Sequence, residues 1–239
     1  MKTGPAHDRD PLRPVARRFG FTRVSGGTVS KPLLLDAFCK AGGAGAGYAR
    51  AGFRVVGVDI EYQPNYPFDF IRGDAVKFIK ACGKRFDAIH ASPPCQAYSA
   101  TWQIQMNDHP ELIEPTRDAI ADIGCPYVIE NVEGAPLRDP VVLCGAMFDI
   151  RTYRHRLFEF GGFEMTAPEH PDHVWRQAKM GRPPAEDEFM HVVGNFSNVS
   201  LGREIMGMPW ASRNELSEAI PVAYSEYVGR HLITALGGN

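Results

Sequence analysis

Short apolar runs, separated by glycine-rich or helical stretches, constrain this chain more than any other feature. LLLDAF (33–38), RVVGVDI (54–60), FDAIHA (86–91) and YVIENV (127–132) each have the length and composition of a buried strand, and IRGD (71–74) is a shorter one. Between them GAGAGYARAG turns into a helix, and TRDAIADIG reads as another. Strands that alternate with helices form a mostly parallel, doubly wound α/β sheet, and ligands bind at the carboxyl ends of its strands. A chain of 239 residues is long enough for that sheet plus a small appendage.

Composition divides the chain into four parts. Residues 1–31 form a basic arm rich in Pro, Gly and Arg, with seven Lys/Arg against two Asp; they carry a net +5, which leaves −7 on the remainder. Residues 32–160 hold the alternating pattern. Residues 161–202 are rich in Pro, Gly, His and charge and read as a small irregular lobe. Residues 203–239 recover order and end in a helix started by Pro221, with Val222, Tyr227, Val228, Leu232 and Leu236 near helical spacing. RTYRHRLFEF (151–160) alternates as a strand with Arg154 and Arg156 on one face. An acidic body with a local basic surface can still bind nucleic acid, because phosphate contacts respond to the local field.

Five cysteines without a CxxC pair suggest neither a disulfide framework nor a zinc site. A cytoplasmic protein is expected, since no apolar run has the length of a membrane span and the N-terminus lacks the apolar stretch of a signal peptide. His170 and His173 form HxxH and could hold a metal with His191. No cysteine or acid completes that set at a recognisable spacing, so no metal is expected.

The chemistry-bearing residues fall at strand ends. SPPCQ (92–96) closes FDAIHA with a rigid turn that presents one thiol, Cys95. The next strand carries Glu130, and the two arginines follow. Upstream, GAGAG lacks the GxGxxG spacing of a nicotinamide enzyme, while Asp59 ends the second strand and suits the ribose hydroxyls of either a dinucleotide or S-adenosylmethionine. Asp74 follows the third strand and could address an adenine amino group. The polar stretch from Ala97 to Ile113 reads as a long loop beside the thiol.

In this order the set resembles the DNA (cytosine-5)-methyltransferase family. Phe38, Gly42 and Gly43 match its DxFxGxGG motif, SPPCQAYS its PCQxxS motif, ENV its glutamate motif and TYRHR its QxRxR motif. SEAIPVAYSEYVG resembles its GNxVP segment, whose helix folds back beside the first motif. The resemblance implies S-adenosylmethionine as methyl donor and double-stranded DNA as substrate. It casts Cys95 as the nucleophile on cytosine C6, Glu130 as the contact to N3, Arg156 as the contact to O2 and Arg154 as a supporting contact. It places the cofactor against Phe38, Lys40, Ala41, Gly42 and Gly43 of the first motif, and against Asp59 and Ile60. Asp74, Ala75, Pro94, Glu218 and Ala219 complete that pocket. Gln96, Ser99 and Thr101 are expected to touch DNA beside a flipped-out base. Residues 161–202 stand where the family has its target-recognition region, with Arg176, Gln177, Lys179, Arg182 and Asn195 available for base readout.

Three positions depart from the family pattern: Lys40 replaces Gly, Thr152 replaces Gln, and Ser217-Glu218 replace Gly-Asn. The first and last place a positive and a negative side chain together at the methionyl end of the pocket. They form a mutual ion pair or point to solvent, or Lys40 addresses a carboxylate of the donor, either that of ordinary S-adenosylmethionine or of a carboxylated analogue. An RNA cytosine methyltransferase, a catalytically silent DNA-binding homologue and a dehydrogenase are the competing readings. A monomer and a restriction endonuclease partner are both compatible with the resemblance.

Overall fold

The computed structural model describes residues 31–94, 111–179 and 181–237. Its centre is a seven-stranded sheet. β1 (Leu33–Ala37), β2 (Arg54–Asp59), β3 (Asp69–Arg72), β4 (Ala88–Ala91) and β5 (Tyr127–Asn131) are parallel. β6 (Val141–Leu143) and β7 (Arg156–Gly161) pair antiparallel, and β7 also runs antiparallel to β5. The strand order is β3-β2-β1-β4-β5-β7-β6, a doubly wound sheet whose order reverses between β1 and β4. β1, β2 and β4 are buried almost throughout, as unbroken apolar runs require of strands covered on both faces.

The helices are α1 (Gly43–Ala51), α2 (Ala75–Cys82), α3 (Ile113–Ala121), α4 (Val199–Met206), α5 (Arg213–Glu218) and α6 (Val222–Ala235). α6 packs along α1, as the C-terminal resemblance predicts. Tyr48 from α1 and Tyr224, Val228 and Leu232 from α6 are fully buried in one cluster with Leu34, Val128 and Phe158 of the sheet, each side chain contributing about 1.5–3 kcal/mol. The helices approach so closely that a Cβ on Gly47 would collide with Ser225 Oγ and Val222 O. Part of the glycine-rich run therefore serves helix packing.

Two sequence expectations change. The strand drawn over 151–160 begins only at Arg156, because Arg154 has φ 23°, a left-handed backbone that no strand residue adopts. Arg154 and Arg156 therefore do not share a strand face. Among the described residues of the lobe at 161–202 there is one two-residue pairing, β8 (Arg176–Gln177) with β9 (Glu188–Phe189), and α4 starts inside its C-terminal boundary. The basic arm, Cys95, Gln96, Ser99, Thr101 and most of the expected 97–113 loop lie outside the described residues. Among the described residues, no helix is long and apolar enough to cross a membrane.

Candidate active site

Glu130 and Arg156 meet at the carboxyl end of β5. Glu130 is 5 % exposed, and Arg156 Nε lies 3.3 Å from its Oε1. Antiparallel pairing sets this meeting, since Glu130 opposes Phe158 and the arginine starts the same strand two residues earlier. Burial pushes the Glu130 carboxyl above the ordinary range, against the opposing pull of Arg156, a hydrogen bond from Ser92, and Arg154. A carboxyl group held this way keeps its proton at higher pH than a surface glutamate and can donate it.

The turn that leads to Cys95 is fixed against the same strand end. Ser92 N donates to Ala37 O of β1 at 3.1 Å, and Asn131 Nδ2 donates to Pro93 O at 3.0 Å. Pro94, the last described residue of the turn, is half-buried.

Behind Glu130 runs a polar chain that sequence reasoning missed. Tyr48 Oη lies 3.0 Å from His90 Nδ1, and His90 Nε2 lies 2.9 Å from Ser92 Oγ. Burial drives the His90 pKa down to about 3, so the ring is neutral at physiological pH. A neutral ring needs one donor and one acceptor nitrogen. Tyr48 donating to Nδ1, Nε2–H donating to Ser92 and Ser92 donating to Glu130 satisfies every group. The sequence signal was His90, one polar residue inside the apolar strand FDAIHA.

The glycine-rich edge forms the second half of the site. Phe38 (φ 59°), Lys40 (φ 44°) and Gly42 (φ 84°) all have left-handed backbones, which explains a family glycine at the Lys40 position. The Asp59 carboxylate is buried and accepts from Lys40 N and Glu61 N, both at 3.0 Å. Each of its oxygens retains a further acceptor site. Ile60 beside it is 68 % exposed. Ala219 approaches Gly43, where a Cβ would lie 3.2 Å from the Ala219 Cβ, and Ala41 O accepts from Trp210 Nε1 at 2.8 Å. Asp74 caps α2, which begins at Ala75, by accepting from Lys77 N at 3.0 Å.

Lys40 and Glu218 do meet. The ammonium lies 3.7 Å from Glu218 and 3.3 Å from Glu61, which is the charge-pair reading of the two departures. Beneath this edge Asp36, on β1, accepts from Tyr66 Oη at 3.0 Å, and burial pushes its pKa up to about 8.

Arg154 is committed to backbone carbonyls. Its guanidinium donates to Val192 O at 2.6 Å and to Ser217 O and Ala219 O at 2.7 Å, so it ties the lobe and the α5–α6 junction together. A cleft of about 530 Å³ opens beside it, lined by Glu133, Thr152, Arg154, Arg156, Gln177 and His191 among others. In the lobe, Arg182 is held by a two-point pair with Glu188 at 2.6 Å. The metal expectation also shifts: His170 and His173 lie with Cys144 and His155, and His191 stands outside that group.

No family model matches the sequence. The type II methyltransferase M.XorII of Xanthomonas oryzae pv. oryzae is 28 % identical over 124 residues, which span 44 % of this chain and 29 % of that protein. The fold is shared with a prophage-encoded Escherichia coli protein described as a DNA modification methyltransferase (TM-score 0.63, 16 % identity, 87 % of this chain and 100 % of that one). It is shared too with Entamoeba histolytica EhMeth (TM-score 0.59, 12 % identity, 87 % and 99 % covered). Schizosaccharomyces pombe Dnmt2 gives 0.56, with 12 % identity and 86 % and 99 % covered. The chain therefore shares the fold of these solved methyltransferases, and part of it is similar to a type II methyltransferase of whose length it spans less than a third.

Proposed function

We propose that this protein transfers a methyl group from S-adenosylmethionine to C5 of a cytosine flipped out of duplex DNA. The observation that carries the proposal is the buried Glu130–Arg156 pair at the end of β5, against which the turn leading to Cys95 is fixed. Cytosine C5 is a poor nucleophile. The Cys95 thiolate adds to C6 and pushes the ring's electrons toward C5, while Glu130 donates a hydrogen bond or its proton to N3 and Arg156 polarises O2. Once C5 is alkylated, its proton departs to a base, the electron pair re-forms the double bond, and the Cys95 thiolate leaves.

The residues at the glycine-rich edge fit the donor. Asp59 has acceptor capacity for ribose hydroxyls, Ile60 offers an exposed apolar surface to an adenine face, and Phe38 to Gly43 and Ala219 bound the methionyl end. When bound, S-adenosylmethionine supplies an electrophilic methyl group. Lys40 is already neutralised by Glu61 and Glu218, which favours ordinary methyl transfer over a carboxylated donor. Within this reading residues 32–160 and 203–239 are the catalytic domain, 161–202 the target-recognition region and 1–31 a phosphate-contacting arm.

Duplex DNA containing 5-fluorocytosine tests the proposal, because fluorine at C5 prevents release of the enzyme. In the presence of S-adenosylmethionine, a denaturation-resistant adduct should form with the native protein and be lost in Cys95→Ser. Equal trapping by Cys95→Ser, or trapping only on the matching RNA, would overturn it.

A further inference from the structure

We propose that Cys144, His155, His170 and His173 form a closed zinc site on the lobe side of the β6–β7 hairpin. Their ligating atoms all lie within 4.8 Å of one another. Three separate segments deliver them. Leu143 opposes Arg156 in the β6–β7 ladder, so the residues one step beyond, Cys144 and His155, are neighbours across the hairpin. His170 and His173 then arrive from the chain that follows β7.

The spacings suit a tetrahedral ion. Zinc bonds of about 2.0–2.1 Å to nitrogen and 2.3 Å to sulfur set ligand-to-ligand edges of about 3.3–3.6 Å. His155 Nε2 and His170 Nε2 are 3.2 Å apart, and Cys144 Sγ and His173 Nε2 are 3.3 Å apart. One thiolate with three imidazoles is a borderline-soft set that selects zinc over the oxygen-seeking magnesium and calcium.

The surroundings prepare two of these ligands. His155 Nδ1 lies 3.8 Å from Glu133 Oε2, while its Nε2 faces His170 Nε2 and is the nitrogen available to the ion. His173 stacks on Tyr153 with centroids 3.6 Å apart, and the Tyr153 hydroxyl is held at Trp175 N and O. Three imidazoles converge on one buried thiol. With an ion, the thiol proton is released to solvent and the neutral rings are all used.

Four protein ligands leave no open coordination position, so the role is structural. His155 sits between Arg154 and Arg156, and the ion would clamp the 170–173 segment onto that stretch. This inference stands whether or not the proposed methyl transfer does.

The test is metal binding by the full-length protein after treatment with a chelator. Zinc should bind at one equivalent per chain. Cobalt(II) in its place should show a tetrahedral ligand-field spectrum with a thiolate charge-transfer band, absent in Cys144→Ser and kept in Cys125→Ser. His170 is exposed, so His170→Ala should fold, yet lose more zinc affinity than the roughly 10–100-fold that removal of an outer-shell partner costs. Substoichiometric metal, an octahedral cobalt spectrum, or unchanged binding in both Cys144→Ser and His170→Ala would overturn the proposal.

Discussion

His90 Nε2 lies 2.9 Å from Ser92 Oγ, and this contact joins the buried core of α1 to the carboxyl group of Glu130. The arrangement makes Ser92 a positioning residue: it aims the Glu130 carboxyl and contributes to its acidity without touching substrate. Ser92→Ala should slow turnover about tenfold, a loss of roughly 1.4 kcal/mol, while DNA affinity changes little. Its pH–rate profile should move to higher pH, because the hydrogen bond that lowers the Glu130 pKa is gone. A reduced DNA affinity with an unmoved profile would make Ser92 a binding residue.

Asp36 should impose a pH dependence on stability. Its folded pKa of about 8 is raised above the ordinary 3.8, so its stabilising contribution is full below about pH 3.8 and is lost as pH rises through about 8. The slope is at most about 1.4 kcal/mol per pH unit. Burial lowers the His90 pKa, and that ring opposes the trend only below its ordinary value of 6.5. The clean window is therefore pH 6.5–8. Urea unfolding should show wild-type stability falling across it and Asp36→Asn holding nearly level. Parallel curves would show that Asp36 does not hold its proton.

Lys40 occupies a left-handed backbone position and pairs with exposed carboxylates, and an exposed pair contributes little. Lys40→Gly should therefore gain about 1 kcal/mol of stability. The mass of the modified nucleoside should stay that of a methyl product. A heavier acidic product that disappears in Lys40→Gly would show that the lysine selects a carboxylated donor.

The sheet was legible because its strands are unbroken apolar runs, and both faces of β1, β2 and β4 are in fact covered. Short elements without such a run, β6 and α5 among them, were not legible. Glu130 and Arg156 could be read because their motif spacing survives in the fold as a 3.3 Å contact across two antiparallel strands. The shared strand face of Arg154 and Arg156 could not, because a φ of 23° at Arg154 and carbonyls 38 to 65 residues away fix its course. Cys144 was invisible as a partner for His173, since the two stand 29 residues apart with no local spacing signal. The buried Arg117–Glu159 pair, 2.7 Å between α3 and β7, was missed for the same reason: each residue alone reads as an exposed charge.

Transfer itself is tested most directly by incubating duplex DNA with the purified protein and S-adenosylmethionine labelled in its methyl group, then identifying the nucleosides by mass spectrometry. The account predicts labelled 5-methylcytosine in the duplex, abolished by Cys95→Ser and reduced at least a hundredfold, on the order of 2.7 kcal/mol, by Glu130→Gln. Label on another base, on another atom of cytosine, or in RNA alone would contradict it.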